Sequence, residues 1–454
     1  MVCPVRLIAV LLCLPAAAMA APPQYAAMLS SGQRLEGAKL SDWHDVKALP
    51  RLDGQPLMEP SNPLRWLRDR TQPLAELPPA YIEFQNGDRL PGVAVDYRSG
   101  LEDRYDPVPP HLVVRAAIGF EPPENRPVRE IRVATQFIRR IVWQRGSRKT
   151  YEPGTVFYRD GRSIAFRAIR FSAGEIHVLL ADGDRRIDWS DLAELHLPVV
   201  EPWTAWFNQL ALLCPTIETR LVEIETSSGL IATASAARLA MRFEGNSSDS
   251  NKWVHALQPA WSLDLLWIPF REIAYYRTFA PREVPLCRIS PRQIDGRGGL
   301  GAGRAVQNNR NVLGGPLRSK LLDFGFGLGM SGGAIVTIDL PPLGVRSLRA
   351  WVCLDRAAGN GGCIRPRILA NDAKGQPLWE GPVLVGSEAV ADTGTIGIAG
   401  PAAGQKSIVL IVDPVATGRP AGADPLDIRD HANWCDALLE LDPAIVQAEI
   451  DQRL

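Results

Sequence analysis

A short phrase recurs along the first half of the chain and limits the fold more than any other feature. Two polar residues precede a glycine, and apolar residues then follow at alternate positions. It reads Ser30-Ser31-Gly32-Gln33-Arg34-Leu35-Glu36-Gly37, and again Gln85-Asn86-Gly87-Asp88-Arg89-Leu90-Pro91-Gly92. A third copy is Arg159-Asp160-Gly161-Arg162-Ser163-Ile164-Ala165-Phe166, and Ser227-Ser228-Gly229 is a weaker fourth. Glycine and asparagine accept positive φ at little cost, so the Asn-Gly and Asp-Gly pairs predict type I′ hairpins. Three units also end on a shared spacing: Val133, Ile138 and Ile141; Ile187, Leu192 and Leu195; Ile268, Ile273 and Tyr276. In each, a strand enters, a short turn follows and a last strand leaves. Between these marks the apolar residues alternate, as in Ile176, Val178 and Leu180, which is the period of half-buried antiparallel strands. One such unit alone buries too little apolar area to be stable. The chain therefore predicts an all-β protein of repeated antiparallel β-meander units, stacked or paired into small barrels or sandwiches, with loop insertions absorbing their unequal lengths.

Composition fits this reading. The 454 residues include 39 Gly and 38 Pro, so turns and short elements dominate. Basic and acidic residues number 50 each, which excludes a strongly basic nucleic-acid binder. One helix is expected over Glu201–Cys214, with Trp203, Trp206, Leu210 and Leu213 on one face. The tryptophans of the β units, Trp143, Trp189, Trp203, Trp206, Trp253, Trp261 and Trp267, read as packing residues before they read as a ligand platform.

Residues 1–20 read as a signal peptide. Arg6 supplies the positive start, Leu7–Leu14 the apolar stretch and Ala18-Met19-Ala20 the cleavage site. No later window reaches 18 apolar residues, so no transmembrane segment is expected after cleavage, and a secreted or periplasmic location follows. Five cysteines then remain: Cys214, Cys287, Cys353, Cys363 and Cys435. An odd number leaves one thiol free or bonded between chains. Cys353 and Cys363 flank the glycine turn at 357–362 and are the candidate disulfide, the alternative being two separate buried thiols.

Two motifs are set aside. Gly296, Gly298 and Gly301 satisfy G-x-G-x-x-G, but no strand precedes them and no helical pattern follows, so no dinucleotide site is expected. Gly329-Met330-Ser331-Gly332-Gly333 fits G-x-S-x-G, yet a strand pattern follows where a hydrolase elbow needs a helix. None of the six histidines stands in the setting a trypsin-like base requires, so Ser331 is not expected to be a nucleophile and the chain is not expected to be an enzyme.

From about Asn311 onward the sequence has a different character. Gly325-x-Gly327-x-x-x-Ser331 enters an apolar strand. A later strand ends in Asp355 before a glycine turn, and a hairpin follows at Asn371-Asp372-Ala373-Lys374-Gly375. The close is Asp427-Ile-Arg-Asp430-His431-Ala-Asn433-Trp434-Cys-Asp436-Ala. This resembles the NPCBM family of carbohydrate-binding-module domains, which are galactose-binding-like β-sandwiches. Met330 stands where that family shows a histidine, and Asn433 where it favours an aspartate. The resemblance implies a C-terminal jelly-roll-like sandwich over 319–454, following a signal peptide (1–20), an N-terminal β unit and linker (21–80), three β-meander units (81–286) and a Gly/Arg-rich lead-in (287–318). It also implies a sugar site drawn from Trp351, Asp355, Trp379, Asp430, His431 and Trp434, because a sugar needs an aromatic face and a few fixed polar groups. The same acids, Asp427, Asp430 and Asp436, are candidates for a structural calcium. A third reading is structural, with Trp434 buried and Asp430 and His431 tying the last strand to a loop. The functional expectation is a secreted, non-catalytic binder of extracellular or cell-surface polysaccharide. The alternative is an envelope protein that contacts other proteins and binds no sugar.

Overall fold

The computed structural model describes residues 23–43, 48–103, 105, 107–121, 128–146, 150–198, 200–243, 252–296, 305–342, 344–415 and 417–454. The signal segment 1–20 lies outside these residues, as do Gly298 and Gly301.

The four recurring glycines make one kind of turn. Gly32, Gly87, Gly161 and Gly229 have φ of 89°, 86°, 90° and 92°. Each glycine N–H donates to the carbonyl three residues back, at Leu29, Phe84, Tyr158 and Thr226. The N–H of that same residue donates to the carbonyl of the residue after the glycine. The residue before each glycine keeps a negative φ. These are therefore type I turns closed by a glycine bulge, rather than the expected type I′ turns, which need positive φ at two positions.

The closing spacing has one geometry as well. Strands Val128–Ala134 and Ile138–Val142 flank a single 3-10 turn at Thr135–Phe137. Strands Asp184–Asp188 and Leu192–His196 flank Trp189–Asp191, and Leu266–Pro269 and Ile273–Phe279 flank Phe270–Glu272. All nine apolar residues of the three closings are buried. In four stretches the last strand returns to pair antiparallel with the first: Asn62–Asp69 with Tyr25–Leu29, Ile138–Val142 with Tyr81–Phe84, Leu192–His196 with Thr155–Tyr158, and Ile273–Phe279 with Leu221–Thr226.

These units are not separate beads. The last strands of two units pair with each other, Ile138–Val142 with Leu192–His196, and Asn62–Asp69 with Ile273–Phe279. Arg89 stands opposite Ile231 and joins the two pairs. A single fifteen-stranded hydrogen-bonded sheet results. The tryptophans of this half are packing residues: Trp143, Trp189, Trp203, Trp206, Trp253 and Trp261 are buried and Trp267 is half-buried.

The C-terminal third is a two-sheet sandwich. One sheet runs Gln307–Asn308, Gly327–Ser331, His431–Leu441, Val345–Leu354, Val390–Asp392. The other runs Gln293–Gly296, Ala334–Asp339, Ser407–Asp413, Cys363–Ala370, Pro377–Glu380. The span 287–318, expected as a lead-in, supplies a strand to each sheet. Strand Glu283–Pro285 also pairs with the far end of His431–Leu441, so the sandwich starts before residue 287. Alternation placed these short strands poorly because two- to four-residue strands carry too few periods to read.

Two α-helices occur among the described residues, Pro202–Leu213 and Pro443–Asp451. The first starts with Pro202 and is capped by the Glu201 carboxylate, which accepts from the N–H groups of Trp203 (3.1 Å) and Thr204 (2.6 Å). Its apolar face packs into the sandwich core, and Trp203 Nε1 donates to the Asp339 carbonyl at 2.9 Å. Among the described residues no helix is long and apolar enough to cross a membrane.

Two hydrophobic cores lie on either side of strands Tyr25–Leu29 and Asn62–Asp69. Tyr25, Ala27, Leu29, Leu64 and Leu67 face the core of the β units, whereas Ala26, Met28 and Trp66 face that of the sandwich. Across this seam runs a buried ladder of charge. Asp88 pairs with Arg288 at 2.8 Å, and Arg288 with Glu223 at 3.0 Å. Arg277 joins Glu223 at 2.5 Å to Glu225 at 2.7 Å, and Arg310 also pairs with Glu225. The Arg277 Nε then donates to the Gly325 carbonyl, on the sandwich side, at 2.5 Å. Burial alone would lower the Arg277 pKa and raise that of Glu225. Their mutual attraction, with Arg310 and Glu223, outweighs burial, so Arg277 is raised and Glu225 falls to about 2. Asp88 goes the other way: burial raises its pKa despite Arg288.

Candidate functional site

The glycine motif that leads into the sandwich has a packing cause. A Cβ on Gly325 would overlap the Trp66 ring, one on Gly327 the Trp434 carbonyl, and one on Gly329 the Arg310 carbonyl. The strand Gly327–Ser331 is thus pressed between its neighbours, and each glycine marks a close approach. Met330, in the position where the family shows a histidine, lies fully buried in the sandwich core.

The closing motif disperses its polar groups. Asp427 opens a 3-10 turn and is half-buried. Asp430 is fully buried and accepts from the Cys363 N–H at 2.7 Å and from Arg419 Nη2 at 2.8 and 2.9 Å. Burial raises its pKa, and those two donors oppose the rise. His431 begins the last strand, in register with Ser331, and its carbonyl accepts the Asp355 N–H at 2.7 Å. Asp436 points towards the β units. It accepts from Gly325 N–H at 3.0 Å and from Trp66 Nε1 at 3.2 Å, with Arg34 at 3.9 Å. These bonds hold its backbone at φ 47°, a left-handed conformation at a bulge in the strand.

These placements correct several expectations. Trp434 is fully buried between the sheets, edge-on to Trp379 with centroids 6.3 Å apart, and offers no face to a sugar. Asp427, Asp430 and Asp436 do not converge. Asp430 is committed to Arg419, and Asp436 serves the seam. No group of three His, Cys, Asp or Glu side chains suited to a cation occurs among the described residues, so the calcium set does not fit this structure. Asp355 is buried and works as a clamp, accepting from Asn311 Nδ2 at 3.0 Å, Asn433 Nδ2 at 2.9 Å and the Ala357 N–H at 2.9 Å. Asn433, standing in place of an aspartate, supplies the donor that Asp355 needs; a second carboxylate there would repel it. Ser331 Oγ is buried with no hydrogen-bond partner among the described residues, and the neighbouring acid Asp430 is held by Arg419. Among the described residues no hydrogen bond links Ser331 Oγ to a base.

Two tryptophans remain accessible, and they lie on different sheets. Trp379 is half-buried on the edge strand Pro377–Glu380 and is fixed against Trp434. Trp351 is half-buried near the middle of Val345–Leu354, opposite Asp392. Arg349, two residues earlier on the same face, lies 5.9 Å from the Trp351 ring centroid and pairs with Asp392 at 3.0 Å. Beneath the ring pack Leu317, Phe324, Cys353 and Cys435. The arrangement is an indole on a firm apolar bed with a cation and an anion at its margin. Arg349 and Asp392 were not legible as site residues, because their only sequence signal is alternation on an exposed face.

Comparison with known proteins bears on this end of the chain. Residues 296–440 match the family model described as NPCBM/NEW2 domain. No curated protein matches the chain. Among solved structures, the chain is similar to the CBM51 of a Clostridium perfringens GH95 protein in complex with methyl-galactose, with 16% identity over 35% of this chain and 99% of that one and a TM-score of 0.28. It is also similar to the CBM51-2 and INT domains of Clostridium perfringens ZmpB in complex with GlcNAc, with 17% identity over 46% of this chain and 43% of that one and a TM-score of 0.29. The tandem CBM51 modules of a family 98 glycoside hydrolase from Streptococcus pneumoniae share 11% identity over 63% of this chain and 88% of theirs, with a TM-score of 0.27. The chain thus spans less than half of the ZmpB fragment. The family match covers the C-terminal third of the chain, residues 296–440.

Proposed function

We propose that this chain is a secreted, non-catalytic glycan-binding protein whose sugar platform is the Trp351 face. The match of residues 296–440 to a carbohydrate-binding-module family carries the reading. The indole face suits the C–H side of a sugar ring, and Arg349 and Asp392 supply a donor and an acceptor at the rim for its hydroxyls. The Arg6, Leu7–Leu14 and Ala18–Ala20 pattern supports export. The isolation of Ser331 Oγ and the commitment of Asp430 to Arg419 support a non-catalytic role.

The test is retention of the full chain on insoluble polysaccharides and a glycan array, with Trp351→Ala beside it. Wild type is expected to bind saturably, and the variant to bind at least roughly tenfold more weakly, a loss of ~1.4 kcal/mol. A chelator is expected to change nothing, since Asp430 is committed to Arg419 and Asp436 to Gly325 and Trp66. Equal binding by Trp351→Ala would move the site elsewhere. Failure of wild type across a broad panel would favour the envelope-contact reading.

A further inference from the structure

Cys353 and Cys435 were not paired by the sequence, which favoured Cys353 with Cys363. All five described cysteines are free and buried. The Sγ atoms of Cys353 and Cys435 nevertheless lie 4.0 Å apart, on the neighbouring strands Val345–Leu354 and His431–Leu441. Cys353 stands opposite Asn433 and Cys435 opposite Trp351, so the two cysteines are a diagonal pair on one face. The bulge at Asp436 follows directly. A bulge tightens local twist, and twist brings one diagonal of an antiparallel pair together. The approach is thus a property of strand register, not of a loop.

We infer that Cys353 and Cys435 are a covalent modification site, joined by a disulfide when the chain folds in the presence of a disulfide oxidant. The step balances as exchange. One cysteine, as thiolate, attacks the oxidant's disulfide and releases one reduced thiol. The second cysteine then displaces the other half of the mixed disulfide. Two S–H bonds break and one S–S bond forms. The oxidant's S–S bond breaks, and the two electrons together with the two protons, relayed through solvent, reduce it to two thiols. Closing from 4.0 Å to the ~2.05 Å bond length is a matter of side-chain rotation and a small strand shift. The other thiols have no such neighbour. Cys363 sits on the opposite sheet beside Asp430, Cys287 bonds the Asn309 side chain, and Cys214 follows the first helix. Leu317 and Phe324 cover the pair in the finished fold. Burial and the neighbouring Cys353 thiol keep Cys435 protonated there, so the bond is made before that cover closes.

The test uses the full chain, unfolded with reductant and refolded in a mixture of reduced and oxidised glutathione. It is then denatured in an alkylating agent, digested and mapped by mass spectrometry. The expected result is a linked peptide pair holding Cys353 and Cys435, alkylated Cys214, Cys287 and Cys363, a monomer on non-reducing electrophoresis, and a lower melting midpoint after reduction. Alkylation of both Cys353 and Cys435, or a Cys353–Cys363 link, overturns the inference. Cys435→Ser is expected to leave Cys353 alkylated. If that variant fails to fold, the wild-type map still decides.

Discussion

Replacing Arg277 by alanine is expected to destabilise the folded chain by about 3–5 kcal/mol, read as the midpoint and slope of urea unfolding. The side chain is fully buried and touches Glu223, Glu225 and the Gly325 carbonyl. Its removal leaves Glu225 with Arg310 and Glu223 with Arg288, but strands charge that was balanced by three guanidinium groups. It also opens the contact that fastens the sandwich to the β units. A loss under about 1 kcal/mol would mean the ladder tolerates a gap and is not a structural joint. The same ladder gives a pH dependence. Glu225 is depressed from 4.5 to about 2, so its contribution is complete above its unfolded value and is lost as pH falls from about 4.5 through about 2. Asp88 is raised, so its contribution has the opposite sign and declines as pH rises past its ordinary 3.8. Glu225→Gln should therefore narrow its stability gap to wild type as pH falls through the Glu225 window. A gap that stays constant down to about pH 2 would remove Glu225 from the acid response.

Gly327→Ala is expected to cost on the order of 4 kcal/mol or to abolish folding, seen as loss of soluble, cooperatively melting protein. The backbone is held at φ 142°, which disfavours any Cβ, and the added methyl would strike the Trp434 carbonyl on the neighbouring strand. Neither element can yield, because Trp434 is locked between the sheets. The Gly183→Ala change, at φ 134° with open space around the Cβ, carries a comparable φ penalty without the collision and separates the two effects. Comparable losses from both would make backbone strain, not strand approach, the reason for glycine.

These residues also show how far the sequence could be read. The hairpin glycines and the closing triplets were legible because they depend on spacing within a few residues. The turn type was not, because Asn-Gly and Asp-Gly serve both type I′ turns and type I turns with a glycine bulge. Glu223 and Glu225 alternate with Val222 and Ile224, a pattern that reads as a solvent face. They are buried because the sandwich docks on them through Gly325, Arg288 and Arg310. No local pattern carries a partner at that distance. The closing motif was recognisable as a whole, and the buried Trp434 matches the structural reading offered beside the sugar and calcium ones. Trp434 looks like a sugar platform until the opposite sheet is placed over it. Asp436 looks like a metal ligand until Trp66, 370 residues earlier, is found to donate to it.

The position of His431–Leu441 inside its sheet sets the order in which the chain can be completed. That strand pairs with Glu283–Pro285, Gly327–Ser331 and Val345–Leu354, all made earlier. A chain emerging from the ribosome would therefore carry an unfinished sandwich, missing its middle, until residue 441 had been synthesised. Cys435, the buried Trp434 and the left-handed Asp436 would all arrive together in that last strand. Contacts of such long sequence separation form slowly. The delay leaves an open interval in which a nascent chain is still threadable and its thiols are still within reach of solvent.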